Sequence, residues 1–283
     1  MFDIKFHRLV GPTVTREDTS NGGGPITPRF IVMHYTAGAD AESAVKTFKS
    51  PASKASAHLV IGRDGKVTNM KAFNIKTWHA GPSRYAGFSG LNSCSIGIEI
   101  VNLGFLRKVG RVNGRDIYTT WNGESISLEP DEVVMCRYPK AGSGDLYWQK
   151  YTDAQLKVLD EIVPLLLSKY PTILDIVGHE DIDTRGWKVD PGPAFPMRRY
   201  KALLDNRSDE STGDLLTGED RGVVTASSLN VRSGPSMMSR ITQGLRKDDK
   251  VIITGQNREW YHVMGMTSPK SEGWVHSDFI RRL

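Results

Sequence analysis

Gly178-His179-Glu180-Asp181-Ile182-Asp183-Thr184-Arg185-Gly186-Trp187-Lys188-Val189-Asp190-Pro191-Gly192-Pro193 is the stretch whose reading decides the rest of the chain. The apolar run from Leu174 to Val177 has the composition of a short buried strand. It ends at Gly178, which delivers His179 from the strand tip into a loop. That loop presents Lys188 and Asp190 two positions apart, and Pro191-Gly192-Pro193 stiffens its exit. An imidazole and a carboxylate brought together suit zinc. A catalytic zinc takes three protein ligands. His34, at the end of Phe30-Ile31-Val32-Met33, is the candidate for the third.

Working outward, Phe30–Tyr35 reads as a buried strand from its continuous apolar run. Asp40 stands where a helix N-cap belongs, with Ala44, Val45 and Phe48 at helical spacing behind it. Ala57–Gly62 and Lys66–Met70 flank Arg63-Asp64-Gly65, a hairpin signal through the Asp-Gly pair. Ser95–Val101 has the apolar character of a central strand. Residues 102–150 follow no clean period and read as an insertion of hairpins and loops. Thr152 and Gln155 then form a capping box, and Leu156, Leu159, Ile162, Val163 and Leu166 give the helix an apolar face. Pro164 inside that helix is expected to bend it. Before Phe30 the reading finds only loop character, centred on Asn21-Gly22-Gly23-Gly24-Pro25. Strands interleaved with helices predict an α/β fold, a mixed central sheet flanked by helices, over residues 1–204.

The chain has 283 residues, enough for one sizeable core and a small second domain. No apolar run reaches the length of a bilayer span, so membrane insertion is not expected. The first ten residues carry charges where a secretory signal needs an apolar centre, so synthesis and folding in a cytoplasm are expected. The two cysteines, Cys94 and Cys136, have neither a disulfide framework nor metal-site spacing and read as reduced and structural. Net charge is +5, unevenly spread. Residues 205–220 hold six acids and one arginine, and residues 221–283 hold ten Lys/Arg and five acids. Two basic pieces joined by an acidic linker are therefore expected, with 205–220 as the linker. Basic surfaces suit anionic partners, but no nucleic-acid recognition pattern is present. Beyond the linker, Leu229–Arg232, Lys250–Thr254, Trp260–Val263 and Gly273–Val275 are short β-like runs separated by turn signals. They predict a small all-β barrel over 221–283.

His34-Tyr35-Thr36-Ala37-Gly38, Ser56-Ala57-His58, Trp78-His79-Ala80-Gly81, Ser95-Ile96-Gly97-Ile98-Glu99, Gly178-His179 and Lys188-Val189-Asp190-Pro191-Gly192-Pro193 occur in this order. Together they resemble the zinc-dependent N-acetylmuramoyl-L-alanine amidases, the family shared with phage lysozyme-type endolysins and peptidoglycan recognition proteins. The resemblance implies one zinc per chain held by His34, His179 and Asp190. It also implies that Glu99 is the general base for the activated water and that Lys188 is the oxyanion stabiliser. Glu99 lies among isoleucines, where partial desolvation favours a raised pKa. Some relatives carry Tyr before the histidine matching His58; this chain has Ala57 there, which shifts the burden to Glu99. His58 and His79 are candidates for contact with substrate or with the groups that ligate the metal, alongside a role in bracing the Trp78 loop. Trp121, Tyr147 and Trp148 could stack on sugars, but such residues more often fill cores.

Leu229-Asn230-Val231-Arg232-Ser233-Gly234-Pro235 with Gly273-Trp274-Val275-His276 resembles bacterial SH3-like domains, which implies a module that binds cell-wall peptide. The combined expectation is a peptidoglycan hydrolase, a phage or prophage endolysin acting on the wall after release. A receptor without chemistry and a cytoplasmic amidase recycling anhydro-muropeptides are the alternatives. The intact candidate set speaks against the first, and the carboxy-terminal module is unexpected for the second. Export by a secretion machine is a further delivery route.

Overall fold

The computed structural model describes residues 1–142, 146–210, 221–257, 259–265 and 272–283. Two compact units divide the chain: residues 1–83 with 90–210, and 84–89 with the described part of 211–283. Among the described residues, no helix is long and apolar enough to cross a membrane.

The first unit opens with a hairpin, β1 (Asp3–Lys5) and β2 (Arg8–Val10), that turns through Phe6 and His7 at positive φ. It buries Ile4 and Leu9. Next come β3 (Val14–Arg16), β4 (Phe30–Tyr35), α1 (Ala41–Lys49), β5 (Leu59–Ile61) and β6 (Val67–Asn69). Residues 84–89, which belong to the second unit, form the short hairpin β7 (Arg84–Tyr85) and β8 (Phe88–Ser89), and the first unit resumes with β9 (Ser95–Ile100). The sequence reading gave no strand before Phe30. Three form there because Ile4, Leu9 and Val14 each find apolar partners in the main core, which three-residue strands cannot advertise by periodicity.

After β9 the chain builds β10 (Phe105–Val112), β11 (Arg115–Thr119), β12 (Ser125–Leu128), β13 (Val133–Cys136) and β14 (Leu146–Gln149). These make one five-stranded sheet in the order β12-β11-β10-β14-β13, in place of loosely connected hairpins. Its apolar side gathers Leu103, Leu106, Tyr118, Leu128 and Val133, and Trp148 is buried at its base. Then follow α2 (Asp153–Lys169), β15 (Asp175–Gly178), the single-turn α3 (His179–Ile182) and α4 (Met197–Glu210). Helix α4 occupies residues 205–210, which the charge pattern had placed in the linker, because Tyr200, Leu203 and Leu204 pack the preceding turns onto the core. Residues 211–220 of that linker lie outside the described residues. Pro164 sits within an unbroken α2.

The main sheet has the order β15-β4-β9-β5-β6-β3. Its strands β15, β4, β9 and β5 run parallel, β6 is antiparallel to β5, and β3 is parallel to β6. Alternation along these strands divides the labour between the two faces. Ile31 and Met33 of β4, Ile96, Ile98 and Ile100 of β9, and Leu59 and Ile61 of β5 enter one core with Leu159, Ile162, Val163 and Leu166 of α2. Val60 of β5 faces the opposite side, where it packs with Phe48 of α1 and Met70. Residues in phase with Val60 therefore share that second face, and they include His34, Ser95, Gly97 and Glu99.

The second unit is all β, seven strands in one antiparallel sheet around a core of Val224, Leu229, Val231, Leu245, Val251, Ile253, Val263, Val275 and Ile280. Leu229 and Val231 point inward while Ser228 and Asn230 are exposed, the alternation expected of a sheet with one wet face.

Gln155 couples α2 to the sheet. Its amide donates to the Val101 carbonyl at 2.8 Å and its oxygen accepts from the Thr152 N–H at 3.0 Å, completing the capping box with no exposure to solvent. Gln155→Ala leaves both backbone groups unsatisfied in a dry place. The expected loss is about 1–3 kcal/mol, read as a lower urea midpoint with an unchanged slope.

Candidate metal centre

Three parallel strands end side by side at the site, in the manner of α/β sheets that bind ligands beyond the carboxyl ends of their strands. His34 is paired in register with Glu99 of β9, and Met33 with Gly178 of β15, one residue before His179. The sequence placed His179 in a loop; it begins α3, whose Asp181 side chain accepts from the Gly178 N–H at 2.9 Å. The segment beyond α3 folds back so that the Glu180 N–H donates to the Asp190 carbonyl at 3.0 Å. The Tyr151 hydroxyl donates to the Pro191 carbonyl at 2.8 Å. Gly192, at φ 73°, lies so close to the Trp148 ring that a Cβ would come within 2.4 Å of it. Asp190 is thereby returned to His179 by backbone contacts and packing.

The result is a tight triangle. His34 Nδ1 lies 3.0 Å from His179 Nδ1 and 3.0 Å from Asp190 Oδ2, and His179 Nδ1 lies 3.1 Å from Asp190 Oδ2. All three residues are buried. Burial drives the His34 imidazole down to about 4, against the opposing pull of Asp190, so it is neutral at neutral pH. Burial alone would raise Asp190, but the two imidazoles packed against it, His179 and then His34, hold its carboxyl well below the ordinary range. Two imidazoles and a carboxylate are the donor set of catalytic zinc sites, and their spacing is close to the edge of a tetrahedron about such an ion, about 3.3 Å for bonds of about 2.0 Å. These residues fit a metal ion.

Proton counting fixes which nitrogen of His34 is bare. The Ser95 hydroxyl donates to the Leu91 carbonyl at 2.6 Å, so its oxygen must accept from His79 Nε2, 3.1 Å away. That leaves His79 Nδ1 without a proton, 3.0 Å from His34 Nε2, which must therefore donate to it. His34 Nδ1 is then a lone pair aimed into the triangle. Burial holds the His79 ring well below its usual value, consistent with this neutral relay. The His79 backbone is fixed by the Asn92 side chain, which accepts from the His79 and Ala80 N–H groups at 2.9 and 2.7 Å. Gly97 leaves the room the ring needs, since a Cβ there would lie 2.4 Å from it.

Glu99 lies on the same face with Oε2 buried and unpartnered. Burial first, and the nearby Asp190 second, raise its carboxyl well above the ordinary value, while Lys188 opposes them. Lys188 lines the same cleft, with Nζ 4.4 Å from the centre of the Trp187 ring. Among the described residues its ammonium has no carboxylate partner. The cleft, about 970 Å³, includes His34, Glu99, His179, Lys188, Asp190 and His79 in its lining.

His58 is not part of this group. It is fully buried; its Nδ1 accepts from the Gly97 N–H at 3.0 Å and its Nε2 donates to the Ile75 carbonyl at 2.9 Å. A ring with both nitrogens consumed in the core has nothing to offer a substrate, which corrects the expectation for His58. His79 likewise spends both nitrogens on protein partners, and its contact is with a candidate ligand. The relay was missed in the sequence, although the period-two pattern of Ser95-Ile96-Gly97-Ile98-Glu99 places Ser95 and Glu99 on one face. Trp187 was also missed, and Trp121 was set aside; both are exposed on the cleft.

If His79 orients His34, its loss should act on the metal before the chemistry. His79→Ala is expected to weaken metal affinity about 10–100-fold, measured by chelator competition on the folded protein. Ser95→Ala should act in the same direction and more weakly.

The family model of N-acetylmuramoyl-L-alanine amidase matches residues 23–193, and that of the bacterial SH3 domain matches residues 227–281. The chain is similar to the 1,6-anhydro-N-acetylmuramyl-L-alanine amidase AmpD of Enterobacter cloacae, at 33% identity over 156 residues, covering 55% of this chain and 60% of that protein. It is 25% identical over 192 residues to the N-acetylmuramoyl-L-alanine amidase AmiD of Escherichia coli K12, covering 64% of this chain and 56% of that one. A solved selenomethionine AmpD derivative aligns with a TM-score of 0.47 and 23% identity, over 69% of this chain and 96% of that chain. The chain spans about 60% of the length of the first curated relatives it matches. By the extent of the first match, it belongs to the N-acetylmuramoyl-L-alanine amidase family, and it carries a bacterial SH3 domain behind the family fold.

Proposed function

We propose that this chain hydrolyses the amide between the lactyl group of N-acetylmuramic acid and the L-alanine of the stem peptide, using one zinc ion per chain. The observation that carries the reading is the convergence of His34 Nδ1, His179 Nδ1 and Asp190 Oδ2 in the cleft that Glu99 and Lys188 also line. Zinc in such a site polarises an amide carbonyl and makes water acidic enough to attack near neutral pH. The protein's own groups do the rest. Glu99, whose carboxyl burial raises well above the ordinary value, takes the proton of the attacking water and returns it to the departing amine. Lys188 brings a mobile positive charge to the oxygen that becomes anionic. His34, His179 and Asp190 would hold the ion, and His79 keeps His34 in the tautomer that can ligate.

The carboxy-terminal SH3 domain supports action at the wall, where it would hold the enzyme by binding cell-wall peptide. In this reading the protein is an endolysin that meets peptidoglycan after release from the cell that made it. The similarity to 1,6-anhydro-N-acetylmuramyl-L-alanine amidases favours a second reading, action on soluble 1,6-anhydro-muropeptides.

Digestion of purified peptidoglycan should release peptides with free amino-terminal L-alanine, identified by mass spectrometry. Chelation should abolish the release and zinc restore it; full activity in a metal-free protein would overturn the reading. Glu99→Gln should retain about one zinc while the rate falls on the order of 10²-fold or more. Because burial and Asp190 raise Glu99, the wild-type rate should begin to fall on the acid side well above the ordinary glutamate value of about 4.3.

A chain ending after residue 210 should cleave small soluble muropeptides at close to the full-length rate and insoluble sacculi more slowly, since a tethered binding module raises effective concentration at the wall. The full-length advantage should shrink with salt, because residues 221–283 are net basic. Equal losses on both substrates would count against a targeting role and against wall-linked peptidoglycan as its partner.

A further inference from the structure

The inserted sheet contributes a wall to the cleft. At the turn between β11 and β12 the Thr120 N–H donates to the Glu124 carbonyl at 2.9 Å and the Gly123 N–H to the Thr120 carbonyl at 3.0 Å, closing a compact loop. Trp121 stands on this loop and lines the cleft together with Asn122 and Glu124. It is 61% exposed, the most exposed tryptophan among the described residues, yet it is not loose. Its Nε1–H donates to the Ala37 carbonyl at 2.9 Å, fixing the indole against the segment that follows β4 and the ligand His34.

Fixing the ring in this way has a chemical consequence. The only polar atom of the indole is consumed, so Trp121 can offer a ligand nothing but its face. Among the described residues that face carries no aromatic or cationic partner. Trp187, by contrast, is already engaged by Arg185 and Lys188, at 4.6 and 4.4 Å from its ring centre. A large apolar plate held in water costs free energy unless something covers it. The cleft is also lined by Thr120, Asn122, Glu124 and Asp40; the Thr120 hydroxyl is spent on the Asn122 side-chain oxygen and Asp40 caps the Ser43 N–H, which leaves the Asn122 amide N–H groups and the Glu124 carboxylate to meet a ligand. A pyranose matches both features. Its C–H face is flat and apolar, its rim is hydroxyl and amide, and it brings no negative charge to Asp40 and Glu124. A carboxylate-bearing peptide would instead be drawn to the Lys188 ammonium, which lines the same cleft.

We infer that Trp121, with Asn122 and Glu124, forms a saccharide subsite that stacks an N-acetylated hexopyranose of the glycan strand, and so selects substrates with sugar beyond the muramoyl unit. This rests on the amidase reading for its biological substrate, but the site itself is a sugar site whether or not that reaction occurs. Trp121 is a specificity residue, not a group acting on the scissile bond.

The test uses the full-length protein and two readouts. Titration with chitotetraose, followed by calorimetry, should give binding that Trp121→Ala weakens about tenfold or more. Trp121→Phe, which keeps a ring face and loses the bond to Ala37, should retain most of the affinity. On muropeptides, Trp121→Ala should raise KM for substrates carrying several sugars while leaving kcat, and the KM for a single muramoyl-peptide, within about twofold of the wild type. Metal content should be unchanged. A failure of the amidase reading would show as no cleavage of any muropeptide with oligosaccharide binding at Trp121 intact. Oligosaccharide binding unaffected by Trp121→Ala, or an equal KM change on one-sugar and many-sugar substrates, would overturn the subsite. Loss of zinc or of kcat in Trp121→Ala would assign the residue a bracing role instead and overturn it as well.

Discussion

Three donor atoms gathered at the floor of the cleft are the constraint on which the first unit depends. His34 Nδ1, His179 Nδ1 and Asp190 Oδ2 approach within 3.0–3.1 Å of one another, and the relay through His79 and Ser95 denies His34 Nδ1 a proton. A single proton on His179 Nδ1 could satisfy Asp190 and would still leave His34 with a bare nitrogen. Each buried polar atom left without a partner costs about 1–3 kcal/mol. One cation in the middle satisfies all three together. The surrounding structure keeps these atoms together: the register of β4 between β9 and β15, the backbone bond from Glu180 to Asp190, and Trp148 packed under Gly192.

That geometry is inexpensive because the sheet serves two purposes with one pattern. In β9 the isoleucines face α2 and build the largest core, while Ser95, Gly97 and Glu99 are left to the other side. The residues of the site therefore stand on strands that the core immobilises, and a carboxyl can be kept dry beside a lysine without weakening the core that holds it. The same arrangement explains why Gly97 is small. Its neighbour on that face is the His79 ring, and any side chain would push the ring away from His34.

The sequence made the strand-end residues legible because their chemistry is conspicuous. Histidine at the end of an apolar run, or an aspartate followed by Pro-Gly-Pro, stands out in a way that packing does not. The capping box of α2 and the Asp-Gly hairpin were legible for the same reason, as local chemistry with local consequences. What escaped was decided by distant partners. The strands at residues 3–16 are too short to show a period and exist because the core accepts Ile4 and Leu9. The inserted sheet is half exposed, with Val109, Val112 and Met135 facing out, so its apolar residues follow no single face. His58 and His79 look alike in sequence, and only their partners distinguish them. One is sealed by Gly97 and Ile75, and the other is turned to His34. Helix α4 extended into a charged stretch because its first turns were anchored by Tyr200.

A division between floor and wall follows from these facts. The floor of the cleft is made by strands whose other face is the main core, so a change there would disturb stability and ligand geometry together. The wall contributed by the insertion has apolar clusters of its own, around Leu106, Tyr118 and Leu128 and around Leu146 and Trp148. The second of these includes Val189, the residue between Lys188 and Asp190, so the wall is joined to the loop that supplies the cation and the third ligand. At its tip it is joined again, by Trp121, to the segment after His34. An independently packed sheet attached at both rims can change what it presents to a substrate without moving the strands that hold the metal ligands. Selectivity in this protein is therefore best sought on the wall, and the chemistry on the floor.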